Sequence, residues 1–139
     1  MQPQYSPKNN PRVIIIQKLY GKFFNKDEEL TFPKHRFKKF IKDVVNGTIE
    51  RNDLINDEIS SHLNSDLDLK KLDKVFHVIV KSAIFELLYK PKTSSKIIIN
   101  EYLKASNFFI ADGQTKYLNA LLDKISKKIR NSNGWIWHN

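Results

Sequence analysis

The sequence predicts an all-α fold of about six helices, on three observations. Between Val75 and Tyr89 the only polar residues are His77, Lys81, Ser82 and Glu86, and a helix apolar nearly all round is a buried central one. Leu118, Leu121, Leu122, Ile125 and Ile129 recur with a helical period and make one face of a second helix. Four Gly and five Pro punctuate 139 residues, which suits helices joined by few turns.

In chain order, residues 1–10 carry Pro3, Pro7 and two asparagines and read as a flexible arm. Pro11 fits the first turn of a helix capped by Asn10. That helix should run to about Phe24, with Ile15, Ile16, Leu19, Tyr20 and Phe23 inward. Residues 25–33 read as a loop with an acidic tip, Asp27-Glu28-Glu29. Gly47-Thr48 then resembles a helix end, and Asn52-Asp53 a new start. Phe37, Ile41, Val44, Thr48, Ile55, Ile59 and Leu63 nevertheless hold one helical phase. A single helix is therefore expected from about 34 to 63, with Gly47 tolerated at a cost of roughly 1 kcal/mol. Residues 64–68 connect, and a short helical turn at 69–72 leads into the buried helix. Pro91 stops that helix. Thr93 is expected to cap a helix from Ser94, and Asp112 one from Gly113. The chain thus divides into an arm at 1–10, a helical domain at 11–130 and a tail at 131–139. Trp135 and Trp137 in that tail are expected to pack back on the body, the alternative being a contact surface.

Composition excludes several functions. The chain has no cysteine, so disulfides and thiolate metal sites are impossible, and a reducing cytoplasmic setting fits. Residues 1–11 lack the apolar core of a signal peptide, and the apolar runs are far short of a membrane span. His35, His62, His77 and His138 are scattered, with no metal-ligand spacing. No phosphate-cradling glycine loop and no glycine-flanked nucleophile occur. No cofactor, metal or catalytic residue is expected, and the chain does not read as an enzyme. Glu86 is the carboxylate that stands out. A buried Glu86 satisfied by backbone donors of the helix start near Thr93 is favoured over a catalytic one.

Charge points to a partner. The net charge is +9. Residues 1–42 carry a net +7, residues 43–73 a net −5 and residues 74–139 a net +7. Two basic segments flanking an acidic one suit a polyanion, nucleic acid above all. The alternative is a lysine-rich solubilising surface, since 20 of the 24 basic residues are Lys. Lys8 and Arg12 sit at the start of the first helix, where backbone amides also favour phosphate. Lys116 and Tyr117 pair a charge with an aromatic ring at the start of the last helix, the chemistry that grips single-stranded RNA. Tyr117 serves equally well as a core aromatic, and Lys8 taken alone as a solvated lysine.

Three stretches carry a family resemblance. They are Ala83-Ile84-Phe85-Glu86-Leu87, then Lys96-Ile97-Ile98-Ile99-Asn100-Glu101, then Lys116-Tyr117-Leu118-Asn119-Ala120-Leu121-Leu122-Asp123-Lys124. The chain resembles the NusB family of bacterial transcription antitermination factors, most strongly from Leu72 to Arg130. The resemblance implies two packed helical subdomains in one compact domain. It implies binding of boxA-type single-stranded RNA jointly with NusE, the small-subunit ribosomal protein, within the RNA polymerase antitermination complex on ribosomal RNA operons. RNA contacts would map onto Lys8, Asn9, Asn10, Arg12, Lys116 and Tyr117, as one site shared between the first and last helix starts. The NusE contact would fall on the exposed side of the buried helix's first half, at Phe76, His77 and Lys81. Phe76 stands where the family has an acid, and the N-terminal arginine cluster is reduced to Lys8 and Arg12. The free chain is expected to be a monomer or weak homodimer. A helical protein–protein module with weak or no RNA binding is the alternative.

Overall fold

The structure, a computed structural model, describes residues 9–25, 29–63 and 72–131. Its elements are α1 (Pro11–Phe24), α2 (Lys38–Glu50), α3 (Asn52–Ser60), α4 (Lys74–Tyr89), α5 (Ser95–Ser106) and α6 (Asp112–Ser126). A π-helical turn at Lys127–Asn131 continues α6. All described regular structure is helical, as the periodicity predicts.

α4 is the axis. Phe76 and every residue from Val78 to Leu87 are buried, and the other five helices all pack against it. The paired residues give their directions. Arg12 at the start of α1 meets Glu86 near the end of α4, whereas Phe23 and Phe24 lie by Lys81 and Lys74. α1 therefore runs antiparallel to α4. Tyr117 meets Phe76, and Arg130 meets the last carbonyls of α4, so α6 runs parallel to it. The buried apolar side chains of all six helices form one continuous core. All five residues of the α6 stripe are in it.

The expected single helix over 34–63 is two helices. The helix is intact through Gly47 and Thr48, but Arg51 interrupts it with φ −106° and ψ 25°. Ile41, Val44 and Thr48 line the buried side of α2, and Ile55 and Ile59 that of α3. A one-residue kink redirects the axis while both halves stay on the core, so the stripe survives a break that its phase conceals. The Arg51 guanidinium covers the Tyr89 ring, 4.5 Å from its centroid. The start also moves, from 34 to Lys38. The Phe37 amide donates to His35 Nδ1 at 3.0 Å and the Lys38 amide to the His35 carbonyl at 3.1 Å, holding 35–38 as a turn. Phe37 is consequently exposed instead of lying on the stripe.

Gly47 has a positive role. A Cβ built there would clash with the edge of the Phe85 ring, so the bare Cα lets α2 approach α4. Other details shift by a residue. Ser94, not Thr93, caps α5 by accepting from the Ile97 amide at 3.2 Å. Asp112 is already helical, and Gln114 Oε1 accepts from the Ala111 amide ahead of it. Tyr20 faces solvent and tilts against Phe24, with centroids 5.0 Å apart. The turn expected at 69–72 falls mostly outside the described residues, as do most of the arm and the tail with Trp135 and Trp137.

Candidate nucleic-acid interface

At the start of α1 the sequence-predicted residues separate into outward and inward ones. Lys8 lies outside the described residues, and Asn9 is exposed. Asn10 is buried, and its Oδ1 accepts from the amides of Arg12 at 2.9 Å and Val13 at 3.3 Å. It is the helix cap, with its Oδ1 committed to the first amides of α1. Arg12 turns inward. Its Nε donates to Glu86 Oε2 at 3.0 Å and its Nη2 to Glu86 Oε1 at 2.7 Å, a two-point charge-assisted pair. The Phe40 and Tyr102 rings flank the guanidinium, 5.0 and 5.5 Å from its carbon. Only 12% of the Arg12 side chain is exposed, and none of Glu86.

Glu86 is therefore satisfied by side chains and not by backbone donors near Thr93. Tyr102 Oη completes its shell, donating to Oε2 at 2.5 Å. Burial and the facing Glu86 carboxylate raise the Tyr102 pKa well above its ordinary value, so the phenol keeps the proton it donates. The backbone carbonyls near Thr93 have a different partner, which the sequence alone does not announce. Arg130 donates to the carbonyls of Glu86, Leu87, Lys90 and Thr93. It closes the C-terminal end of α4, where helix carbonyls lack intrahelical partners and attract cations.

At the start of α6, Lys116 and Tyr117 are both exposed. Tyr117 is 43% exposed, yet it stacks on Phe76, with centroids 5.4 Å apart and planes 15° from parallel. Its core and surface roles coexist: one face rests on the core and part of the ring meets solvent. Phe76 itself is only 2% exposed. His77 is half-buried, with Nε2 2.9 Å from Asn56 Oδ1. Burial, and then nearby Lys81, push its pKa down to about 4. Lys81 is buried under the Phe23 ring, 3.7 Å from the centroid, and burial lowers it to about 8. The expectation that Phe76, His77 and Lys81 present an open face of α4 is thus corrected. Phe76 and Lys81 are buried and His77 is half-buried, because side chains of α1, α3 and α6 cover that part of the helix. Asp73 and Lys74 are the residues exposed there.

The two helix starts do not come together. α1 begins at Glu86 and α6 at Phe76, ten positions away on α4, which is about 15 Å at 1.5 Å per residue. What does lie beside the α1 start is a cleft of about 670 Å³. Asn9, Pro11 and Arg12, residues 34–37, and Glu101 of α5 line it. Lys38, Lys39 and Lys42 continue the basic surface along α2. Sequence reasoning misses this cluster by assigning 34–42 to the body of a long helix. The run Lys34-His35-Arg36-Phe37-Lys38-Lys39, with an aromatic among bases, is the available signal. No described residues group three or more His, Cys, Asp or Glu as a metal site, and no described helix is long and apolar enough to cross a membrane.

A family model described as the NusB family matches residues 9–127. The chain is 31% identical over 132 residues to the transcription antitermination protein NusB of Coxiella burnetii, covering 88% of this chain and 94% of that protein. It is 29% identical over 126 residues to the Rickettsia bellii protein of the same name, covering 88% and 81%. Its fold is similar to that of T. maritima NusB, with a TM-score of 0.75 over 89% of this chain and 93% of that one. Sequence identity there is 23%, so that likeness concerns the fold.

Proposed function

The chain belongs to the NusB family of transcription antitermination proteins, and from that premise we propose that it binds boxA-type single-stranded RNA jointly with NusE in the cytoplasm, as part of the RNA polymerase antitermination complex. It is a binding protein and not an enzyme, as the family's role implies. The observation that carries the RNA reading is Tyr117. Its ring is held flat by a buried ring beneath it and stands next to the exposed Lys116. A platform fixed before binding loses little entropy when a base stacks on it. Lys116 supplies the adjacent phosphate contact. Lys8 and Asn9 contribute at the start of α1, while Asn10 and Arg12 act by shaping that end from within. NusE docks on the exposed residues at the α4 start, Asp73 and Lys74, with Phe76, His77 and Lys81 supporting that surface from below.

Tyr117→Leu tests the platform, since leucine keeps an apolar contact with Phe76. The variant should melt near the parent and bind boxA RNA about 1–3 kcal/mol more weakly, with an unchanged dependence on salt. Equal affinity of the folded variant would contradict the assignment. One observation favours the second reading, a protein–protein module with little RNA binding: Arg12, the one arginine of residues 1–35, is committed to Glu86. Under that reading NusE binds and RNA does not.

A further inference from the structure

We propose that the cleft beside Asn9 is a second station for single-stranded RNA, with Phe37 as its base platform and the surrounding lysines and Arg36 as its phosphate contacts. The inference rests on the RNA-binding reading above and adds a site to it.

Phe37 is the central observation. It is a large apolar side chain left 43% exposed on a backbone pinned by the hydrogen bond from its own amide to His35. The Arg36 guanidinium stands 5.0 Å from its ring centroid, and the His35 ring tilts against it at 5.9 Å. A positioned ring with a guanidinium over one face leaves its other face for a base to stack on, and the cation adds its attraction. Around it, Lys34, Arg36, Lys38 and Lys39 are all exposed, and none has an ion-pair partner among the described residues. Lys42 lies 5.9 Å from the Phe32 ring centroid, and Asp43 is paired with Lys90 at 3.6 Å. The site is thus an aromatic ring with Lys34 and Arg36 in the same cleft and Lys38 and Lys39 on the adjoining surface of α2.

The cleft also has a polarity. Glu101 of α5 is the one carboxylate among the residues lining it, and it also pairs with Lys104 at 3.6 Å. A carboxylate repels phosphate but accepts hydrogen bonds from base amino groups and ribose hydroxyls. A nucleotide therefore sits with its phosphate on the loop and α2 side and its base edge or ribose toward α5. Arg12 belongs to the wall without touching the nucleotide, because Glu86 holds its guanidinium.

The test is a fluorescence-anisotropy titration of the full chain with a labelled, short, mixed-sequence single-stranded RNA over a range of salt. Phe37→Leu should weaken binding roughly 5- to 150-fold with the log-affinity against log-salt slope unchanged. The double variant Lys38→Ala/Lys39→Ala should flatten that slope by about 0.7 for each phosphate no longer neutralised. In parallel, photo-crosslinks from thiouridine-containing RNA to the unmodified chain are mapped by mass spectrometry. Crosslinks in the 34–39 segment support the station even if a variant fails to fold. RNA binding by the parent that both variants leave unchanged, or crosslinks confined to the α6 start, overturns this station and leaves the Tyr117 reading standing. No RNA binding by the parent at low salt overturns both.

Discussion

Arg12 and Glu86 show how far a single residue can mislead when read alone. An arginine in the first turn of a helix, close to Lys8, reads as a phosphate contact, because helix starts are usually solvent-facing. Here it neutralises the one carboxylate of an otherwise apolar helix, a partner 74 positions along the chain. Glu86 itself signals that some donor has to reach it, but nothing local says which. Arg12→Ala should destabilise the fold by about 3–5 kcal/mol, because it leaves a buried carboxylate without its charge partner. Glu86→Ala should cost a similar amount by stranding Arg12. The double variant Arg12→Met/Glu86→Leu should recover most of that stability, since a packed apolar pair of similar volume is near neutral or better. Chemical denaturation of the three variants checks this, and a double variant no more stable than the single ones would contradict the pairing.

At the scale of elements, what repeats is legible in the sequence and what happens once is not. α4 and α6 can be read because many residues vote for the same face. The kink at Arg51 is hidden because the apolar period of α2 and α3 tolerates a one-residue change of axis. The start of α2 is obscured for a related reason: His35 competes for the amides of Phe37 and Lys38, a local bond that hydrophobic phase does not register. Gly47 is legible as a helical residue but not as the point where two helices touch. Its worth can be measured. Gly47→Ala gains roughly 1 kcal/mol of helix propensity but places a methyl group against the Phe85 ring, and overpacking costs about 1–3 kcal/mol. The variant should therefore melt lower than the parent, and Phe85→Leu in the same chain should restore part of the difference. A Gly47→Ala protein that melts higher than the parent would mean that α2 and α4 do not approach as closely as the structure has them.

Over the whole molecule, the basic excess of the first 42 residues and that of the last 66 are legible as a sign of a polyanionic partner, but not as a place. Folding sets the start of α1 and the start of α6 about ten α4 residues apart, so the proposed RNA surface is two places and not one compact shared site. Tyr117 with Lys116 is one of the proposed places, and Phe37 with its flanking bases the other. Under the proposed function, an extended strand engaging both, with NusE on the exposed α4 start at Asp73 and Lys74, is the arrangement that would make joint binding productive. Joint binding is also what separates an RNA-binding adaptor from a protein–protein module. It is tested most directly by the affinity of the purified chain for boxA RNA with and without saturating NusE. Thermodynamic linkage ties the two partners: if NusE tightens RNA binding, RNA tightens NusE binding by the same factor. The chain alone should bind RNA measurably, more weakly as salt rises, and roughly 5- to 150-fold more tightly with NusE. RNA affinity that NusE leaves unchanged, or that is absent at low salt with NusE bound, would contradict joint binding.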